Sequence, residues 1–526
     1  MDRIYQLHAE DKSMTVTSFS FFLLLLAGVI LYYISPQKVQ WIILLCVSLI
    51  FYFFAATPYT IIYLVLSTLL VYIAGLIVDC EINEKCRKGT AFGFVAASIF
   101  FNIMIWFVLK GTALWGWAFQ IFHRVIPAID MPQFQLAAAL GMGYYTAQAI
   151  GYIMDVYWGV NKPEKNPLKL FLFLSFFLQL TVGPISKYSQ LQCLYEKHVF
   201  RYKNLCFGTQ RIVWGLFKKL VVSERIAVIV NAVWADTEVF SGIWPWIAVF
   251  LYPIEIYADF SGCVDIVLGS AELFDITMPE NFNNPFFSRT NQEFWQRWHI
   301  TLGVWAKDYV YYPILKSKPM IRVGKWSKKH FSKRIAKFIP WSVGMGALWF
   351  VMGAWHGSLR HIIGVSAWYW IILVMSELLL PVIDWLVEKL QIDRNVFSWK
   401  LLQCCRTYAI FSIGCVFFVS SGVHNAIDRF KLLFHALGNL NVWTLFDETI
   451  LNTGVTWMDI NIIIIGIIMM LIVARLRENH TYARCWIAKQ ILPFRWGIWF
   501  VLLGIVLIYG YYGPGYDASQ FIYQGF

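Results

Sequence analysis

Long apolar segments recur along the whole chain and are separated by short polar connections. A helix needs roughly 20 apolar residues to cross a bilayer, so the pattern predicts membrane-spanning helices. The segments expected to span lie near residues 14–35, 40–56, 59–78, 92–110, 135–157, 168–185, 241–258, 338–355, 361–383, 403–422, 461–475 and 496–512. Shorter or more polar segments lie near residues 207–232, 262–275 and 293–315. We therefore expect an all-α polytopic membrane protein with roughly 11–14 membrane-embedded helices, some of them short or re-entrant.

The shorter segments concentrate in the middle of the chain, within residues 201–360. Irregular backbone at membrane depth is tolerated only where protein covers it or where it lines a water-filled cavity. We therefore expect this central region to line a cavity. We treat residues 1–526 as a single transmembrane domain, with N-terminal helices in 14–200, a core region in 201–360 and C-terminal helices in 361–526.

Composition supports the membrane assignment and removes one competing class. The chain is 59% hydrophobic and 14% charged, whereas a soluble domain carries about 25% charged residues. The formal net charge of +12 does not indicate nucleic-acid binding, because the basic residues lie in short connections between apolar segments. Nine of them crowd one connection: Lys316, Lys318, Arg322, Lys325, Lys328, Lys329, Lys333, Arg334 and Lys337. This cluster predicts a cytoplasmic connection, and docking of an anionic cytoplasmic donor such as a coenzyme is the alternative interpretation.

Two histidines stand in aromatic, apolar sequence. His299 ends the run Glu293-Phe-Trp-Gln-Arg-Trp-His299, and His356 lies within Gly353-Ala-Trp-His356-Gly357. An ionisable side chain in a bilayer is costly unless it is paired or used, so each is a candidate functional residue. Histidine titrates near neutral pH, which suits it to proton transfer. The alternative interpretation is a buried, hydrogen-bonded packing residue.

Residues 252–315 are the densest polar stretch of the membrane body, and the residues to which we assign substrate binding come mostly from it. From Glu293 the spacing predicts one helix with an apolar stripe, from which Arg297 and His299 depart. For Asp259, Asp265 and Glu293 the alternative is ion pairing with Arg289 or Arg297. The candidate substrate-binding residues are Asp259, Ser261, Asp265, Glu293, Trp295, Arg297, Trp298 and Trp355.

Two further features weigh on the chemistry. The run Gly215-Leu-Phe-Lys218-Lys219 by itself indicates a helix end with interfacial anchors. We predict no metal site, because His356 and His361 are five residues apart and do not share a helical face. No glycine-rich phosphate loop follows a strand, and no Gly-x-Ser-x-Gly motif is present.

Taken together, these segments resemble the membrane-bound O-acyltransferase family, in particular its alginate O-acetyltransferase-like bacterial branch. The resemblance spans roughly residues 14–526, and the order and spacing of the motifs agree with the family pattern. The motifs that carry it are Asp155-Val-Tyr157, Gly183-Pro184, Gly215-Leu-Phe-Lys-Lys219, Asp259-Phe-Ser-Gly262, Pro279-Glu-Asn-Phe282, Glu293-Phe-Trp-Gln-Arg-Trp-His-Ile-Thr-Leu302, Lys307-Asp-Tyr309 and Trp355-His-Gly357.

The resemblance implies roles for three residues. His356 corresponds to the catalytic histidine and His299 to a second active-site histidine, and both are expected to line a central tunnel through the membrane. The chain ends in Phe521-Ile-Tyr523-Gln-Gly-Phe526, which is similar to the C-terminal Phe-x-Tyr-Phe-x-Phe motif of this branch. That similarity implies that Tyr523 carries the acyl group in transit, although Gln524 stands where the motif has an aromatic residue.

The expected function is that of a multi-pass O-acyltransferase in the bacterial cytoplasmic (inner) membrane. It would move an acetyl group from cytoplasmic acetyl-CoA across the lipid bilayer, for O-acetylation of an exported or cell-wall polysaccharide. The resemblance also implies an extracytoplasmic SGNH, esterase-like acyltransferase as partner. Two alternatives stay open: a D-alanyl or other acyl transferase of the teichoic acid export type, and an ion-coupled transporter that uses Asp155, Asp259 and Asp265.

Overall fold

The computed structural model describes residues 14–84, 87, 89–110 and 139–512. Over these residues every regular element is helical, and the one strand-like pairing is an isolated bridge between Phe282 and Trp298. The prediction of an all-α protein is therefore confirmed.

Helices fill most of the described chain. The first half contains α1 Phe19–Ile34, α2 Gln40–Ala55, α3 Ile61–Ile82, α4 Thr90–Lys110, α5 Met142–Tyr157, α6 Pro167–Ser175, α7 Phe177–Leu180, α8 Tyr202–Leu216, α9 Glu224–Ala235 and α10 Trp244–Leu273. The second half contains α11 Asn291–Arg297, α12 Ile300–Ala306, α13 Tyr312–Lys316, α14 Lys318–His330, α15 Lys333–Trp355, α16 Ala367–Lys389, α17 Phe397–Gly414, α18 Val416–Val419, α19 Val423–Leu437, α20 Trp457–Glu478, α21 Ala483–Ala488 and α22 Leu492–Tyr509.

Three short segments of the described chain are π-helical, with wider turns whose backbone hydrogen bonds join residues five apart. These π-helical segments are Phe217–Ser223, Lys307–Tyr311 and His361–Ser366. Single π-helical turns inside helices are often found at functional sites. All three overlap or adjoin residues singled out from the sequence: Lys219 lies in the first, the motif Lys307-Asp-Tyr309 lies in the second, and the third begins five residues after His356.

Nine helical stretches within the described chain are long and apolar enough to cross a membrane. They are Gln37–Ala55, Pro58–Ile82, Thr90–Leu109, Trp244–Leu273, Lys333–Trp355, His361–Lys389, Phe397–Val419, Trp457–Glu478 and Leu492–Tyr509. Helix α1 is apolar but shorter. The multi-pass architecture is thus confirmed, while the remaining helices are too short or too polar to add to these nine by length and composition.

Two predicted segments take a different form. The segments near 241–258 and 262–275 are one helix, α10, of 30 residues. Its polar side chains do not end the helix, because partners within the protein satisfy them: Lys219 binds Asp259 and Arg211 binds Asp265. A carboxylate paired in this way can stay at membrane depth without breaking the backbone hydrogen bonds.

The segment near 168–185 is not a spanning helix. Helix α6 ends at Ser175, and Phe176 adopts a non-helical conformation with ψ 115° before the single turn of α7. The backbone N–H of Phe177, freed by this break, donates to Ser48 Oγ at 3.2 Å. Most apolar residues of this segment from Leu170 onward are buried inside the protein, so their hydrophobicity reflects packing against other helices.

Two compact units organise the described residues. The first comprises residues from Met1–Ile212 and Cys263–Pro279, and the second comprises residues from Val213–Gly262 and Glu280–Gly515. A chain of aromatic contacts joins Phe21, Phe51, Phe177 and Phe274 in the first unit, with ring centroids 6.0–6.3 Å apart.

The second unit holds a larger aromatic core. Phe411 lies 4.3 Å from Phe294, 5.0 Å from Trp298 and 6.0 Å from Trp295 between ring centroids. This core holds α11 and the residue before His299 against α17. The division of the chain into 14–200, 201–360 and 361–526 stays a prediction.

Candidate active site

The helix expected from Glu293 is broken at His299, and this overturns the single-stripe interpretation. Helix α11 ends at Arg297, Trp298 is extended, and His299 has a left-handed backbone with φ 45° before α12 begins. A residue with a Cβ in this conformation costs about 1–2 kcal/mol. Strain of this kind persists only where the surroundings enforce it, and it occurs often at functional sites.

The surroundings that enforce the break come from residues 281–283. The backbone N–H of Asn283 donates to Arg297 O at 2.9 Å, and that of Ile300 donates to Asn281 O at 2.9 Å. These bonds replace helical ones on both sides of Trp298. Periodicity along one segment could not reveal them, because the acceptor and donor come from a distant part of the chain.

Asn281 also determines the protonation pattern of His299. Its side-chain Oδ1 accepts hydrogen bonds from the backbone N–H of Thr301 at 3.2 Å and from the Thr301 hydroxyl at 2.9 Å. The same oxygen lies 3.1 Å from His299 Nδ1. Because an amide oxygen can only accept, Nδ1 carries the hydrogen, and Nε2 keeps its lone pair in the neutral ring.

Burial keeps His299 neutral. The residue is 3% exposed, it lies outside the nine candidate spans, and desolvation lowers its pKa to about 3. Its Nε2 atom is buried and has no hydrogen-bond partner among the described residues. A neutral imidazole with one free buried lone pair can accept a hydrogen bond or a proton, and it has no hydrogen to donate from that atom.

His356 lies at the end of α15. It is half-buried and follows Trp355, the last residue of the helix. Gly357 has φ +78°, a conformation that other residues adopt only with strain. The chain therefore turns sharply directly after His356, and glycine is needed for that turn.

Trp355 connects the two histidines. Its ring centroid lies 5.9 Å from that of His299 and 5.2 Å from that of His356. Trp355 is itself buried. The structure thus brings the two histidines predicted from sequence into contact with the same indole, although they are 57 positions apart along the chain.

A third histidine joins this group, and the sequence reasoning did not find it. The ring of His361 lies 5.1 Å from that of His356, and the ring of Phe418 lies against both at 5.0 and 5.5 Å. His361 Nδ1 lies 2.6 Å from Ser358 Oγ. Five-residue spacing excludes a shared face of an α-helix, but the turn at Gly357 and the π-helical segment after Arg360 bring the two rings together.

The close approach depends on Gly353. A Cβ at this position would lie 1.9 Å from Ser366 Oγ and 2.7 Å from His361 O. Helix α15 and the His361–Ser366 segment therefore touch through backbone at Gly353. Any side chain there would push the third histidine away from His356.

The motif Asp259-Phe-Ser-Gly262 packs against the motif Gly215–Lys219. Lys219 Nζ lies 2.7 Å from Asp259 Oδ1 and 2.6 Å from Glu224 Oε1. Lys218 Nζ donates to Ser261 Oγ at 2.8 Å. Lys218 and Lys219 are only 4% and 3% exposed. The expectation that these lysines are interfacial anchors is therefore wrong: both are buried and bound to α10.

Gly262 explains how the two motifs fit together. A Cβ at Gly262 would lie 2.8 Å from Gly215 O and 3.0 Å from Lys219 N. The two helices therefore approach through backbone at this point. The contact aligns both lysines with the polar side chains of α10, which neither motif indicates when it is considered alone.

The other candidate substrate-binding residues have partners in the protein. Glu293 binds Arg297 at 2.8 Å, as the alternative interpretation expected, and Arg297 also binds Glu478 at 2.6 Å. Asp265 pairs with Arg211 Nε at 2.8 Å. Neither Asp259 nor Asp265 is paired with Arg289 or Arg297 in the ion pairs described above.

The candidate tryptophans pack in the aromatic core of the second unit. Trp295 lies 4.8 Å from Trp349 and 4.6 Å from Tyr369 between ring centroids. Trp298 is buried and stacks on Phe294 at 5.7 Å. Their roles in substrate binding stay predictions, as do those of the ion-paired residues. Tyr523 lies outside the described residues.

Comparison with known proteins identifies the family. Residues 161–375, which contain His299, His356 and His361, match the model of MBOAT, the membrane-bound O-acyltransferase family. The protein named probable alginate O-acetylase AlgI of Pseudomonas aeruginosa is 26% identical over 407 residues, covering 73% of this chain and 72% of that protein.

Two other relatives extend the comparison. The peptidoglycan O-acetyltransferase of Helicobacter pylori is 29% identical over 242 residues, covering 41% of this chain and 44% of that protein. The teichoic acid D-alanyltransferase of Bacillus subtilis is 28% identical over 247 residues, covering 44% and 57%. With an all-α multi-pass fold and a histidine pair inside the matched segment, residues 161–375 form a domain of the membrane-bound O-acyltransferase family, and the chain is an O-acyltransferase similar to proteins named alginate O-acetylase.

Proposed function

We propose that this O-acyltransferase transfers an acetyl group from cytoplasmic acetyl-CoA across the bacterial cytoplasmic membrane, for O-acetylation of an exported or cell-wall polysaccharide. The observation that carries the proposal is the pair of histidines that both contact Trp355, inside the segment that matches the family. The relatives named alginate O-acetylase and peptidoglycan O-acetyltransferase support acetyl as the acyl group and a glycan as the acceptor.

The distribution of basic residues supports a cytoplasmic donor. Helix α14 and the start of α15 carry dense positive charge, which is typical of a cytoplasmic connection. Helix α15 has 23 residues, which at 1.5 Å each reach about 35 Å. His356 therefore lies a bilayer thickness from the basic connection, and the donor's acyl thioester has to extend toward it from the cytoplasmic side.

The chemical step follows from these positions. An acceptor hydroxyl attacks the thioester carbonyl carbon, His356 takes the hydroxyl proton as general base, and the C–S bond breaks. The proton passes to the departing coenzyme A thiolate, so that the products are an acyl ester and free thiol. Activating the acceptor hydroxyl in this way favours it over water as the nucleophile that attacks the thioester.

His299 suits a role as acceptor in this step. Polarising the thioester carbonyl would require it to donate a hydrogen bond, but Nδ1–H is held by Asn281 and Nε2 bears a lone pair. We infer that Nε2 accepts a hydrogen bond from the attacking hydroxyl or from another polar group of the reactants.

Turnover of radiolabelled acetyl-CoA by the purified chain in proteoliposomes tests the function. We expect thioester cleavage and release of free coenzyme A when an acceptor glycan is supplied on the opposite face. Intact acetyl-CoA after incubation with the family's glycan substrates would contradict the proposal. Supplying a D-alanyl thioester in the same assay tests the second candidate, which the similarity to teichoic acid D-alanyltransferases favours.

The transporter alternative loses its support. The chain is an O-acyltransferase, and two of the three carboxylates proposed for an ion pathway are already neutralised by ion pairs, Asp259 by Lys219 and Asp265 by Arg211. A buried ion pair is a poor binding site along an ion pathway, because each passing ion would have to break the pair.

Replacing Asn281 by aspartate should change the pH dependence of transfer. A carboxylate in place of the amide favours the imidazolium form and raises the pKa of His299 from its low value. If neutral Nε2 is needed, activity should then be lost on the acid side of neutrality, at a pH where the unchanged protein stays active. Initial rates between pH 5 and 8 measure the effect, with Asn283→Asp as the matched control. If the pH at which the rate falls on the acid side is the same in the variant and the unchanged protein, His299 does not act as the acceptor.

Replacing Tyr523 by phenylalanine tests the carrier step. The hydroxyl is the only group removed, so we expect at least a tenfold loss of glycan acetylation with unchanged amounts of chain in the membrane. Acetylated polymer is quantified after base release of acetate, with Tyr516→Phe as control. Normal acetylation by the Tyr523 variant would mean that the hydroxyl of the acceptor attacks the thioester directly.

A further inference from the structure

Among the residues that the structure describes, two arginines near His356 carry charge without a carboxylate partner. Arg360 directly precedes the His361–Ser366 segment, and Arg429 lies in α19. Both are half-buried. In the part of the chain that the structure describes, Nε of Arg360 and Nη1 of Arg429 are buried without a hydrogen-bond partner. The nearest acidic neighbour of Arg429 in sequence, Asp428, instead binds Lys431 at 3.0 Å.

The two guanidinium groups act on each other. Burial lowers the pKa of Arg429, and the positive charge of Arg360 lowers it further. Burial also lowers the pKa of Arg360. Both residues lie outside the nine candidate spans. Two positive charges held close together in a partly desolvated environment are unfavourable unless an anion neutralises them.

Aromatic residues shape the place where such an anion would bind. The guanidinium carbon of Arg429 lies 4.4 Å from the ring centroid of Trp234. Stacking covers one face of the guanidinium and leaves its edge, which carries the N–H donors, available. Tyr252 is buried close enough to both arginines to influence their charge.

The arginines lie at the same end of the second unit as the candidate catalytic histidine. Phe430, next to Arg429, has its ring 5.2 Å from that of Phe417. Phe418, which follows Phe417 in sequence, contacts both His356 and His361. On the other side of the pair, Arg360 adjoins His361 in sequence. Groups held by the arginines would therefore lie beside the histidines.

This end faces away from the cytoplasm. Helix α15 runs from the basic connection to Trp355. The candidate span His361–Lys389 returns toward the side of the basic connection, and Phe397–Val419 comes back to the end where Trp355 lies. Helix α19 follows within four residues. The positive charge of the connection near α14 identifies its side as cytoplasmic, so Arg429 lies toward the outer face.

We propose that Arg360 and Arg429 form an oxyanion-binding site, which holds a carboxylate or phosphate group of a water-soluble molecule at the outer face. The inference that this molecule is the acyl acceptor rests on the proposed function. Guanidinium groups bind carboxylate and phosphate through paired N–H donors, which gives orientation as well as affinity. A group so held would position the attached hydroxyl relative to His356, and a neutral molecule would gain nothing from the site.

Chemical modification of the full chain tests the site without requiring turnover. Phenylglyoxal reacts with arginines, and mass spectrometry of peptides gives the rate at each position. We expect sodium oligogalacturonate or inorganic phosphate to slow modification of Arg360 and Arg429 together by at least threefold. Arg394, exposed and paired with Asp384, serves as the unprotected reference. Cello-oligosaccharide, which is neutral, should protect neither arginine.

Two results would overturn the proposal. One is equal modification with and without the oxyanions. The other is protection by phosphatidylglycerol vesicles alone, which would make the pair a lipid-headgroup contact. In the Arg429→Gln variant, oxyanions should no longer protect Arg360, whereas Lys431→Gln on the same helix should keep protection. If oxyanions protect both arginines but the chain does not cleave acetyl-CoA, the oxyanion site is retained and the proposed function is wrong. Failure of the site and failure of the proposed function are therefore distinguishable.

Discussion

Replacing His356 by alanine is expected to lower the rate of acyl transfer by about 100- to 10,000-fold, the range typical of a lost general base. The imidazole is the group that takes the proton of the attacking hydroxyl, and alanine offers no substitute. His356 is half-buried at the end of α15, so its removal leaves the helix intact. We expect the variant to reach the membrane and to keep its fold.

Thioester cleavage in proteoliposomes measures this effect, and thermal unfolding in detergent checks the fold. His424→Ala is the matched control, because this histidine is exposed in the second unit. A His356 variant with unchanged turnover and unchanged stability would remove the general-base assignment. His361→Ala should give a smaller loss if that ring only supports His356, and a loss as large as that of His356 would make the two act as one unit.

Replacing Lys219 by methionine is expected to destabilise the folded chain by about 3–5 kcal/mol, the usual cost of removing one partner of a buried ion pair. Lys219 is 3% exposed and Asp259 is 1% exposed. Methionine would leave the carboxylates of Asp259 and Glu224 without their shared cation. Because Asp259 is buried and the side chain of Glu224 is only 15% exposed, both would have to bind protons or stay charged at high cost.

The amount of folded chain in detergent and its thermal midpoint measure this prediction. Lys431→Met is the control, since the Lys431–Asp428 pair is exposed and such pairs contribute about 0–1 kcal/mol. Adding Asp259→Asn to the Lys219 variant should recover part of the loss, because the second change removes one of the stranded charges. A Lys219 variant with an unchanged midpoint would mean that the ion cluster contributes little to the fold.

The ends of helices show where sequence patterns succeed and where they fail. Long apolar runs predicted α15, α16 and α20 closely, because a helix in lipid satisfies its own backbone and needs little else. The break at His299 had no such local cause. It depends on hydrogen bonds from residues 281–283, so a periodic stripe that continued through Trp298 was misleading.

The candidate site shows the same division. His299 and His356 could be found from the cost of an ionisable side chain among aromatic residues. Their shared contact with Trp355 could not, because it depends on how α12 and α15 pack. His361 was missed because helical spacing excluded it, and only the turn at Gly357 with the π-helical segment after it brings the ring to His356.

By itself the sequence determined the all-α multi-pass fold, the family motifs and the two candidate histidines, because each follows from apolar length or from residue types in order along the chain. The tertiary structure alone decided which charges are paired and which imidazole nitrogen of His299 bears the hydrogen. It also decided which arginines near His356 have no carboxylate partner among the described residues. Those properties depend on contacts between residues far apart in sequence, and the free energy of a buried polar group is set by its neighbours in space.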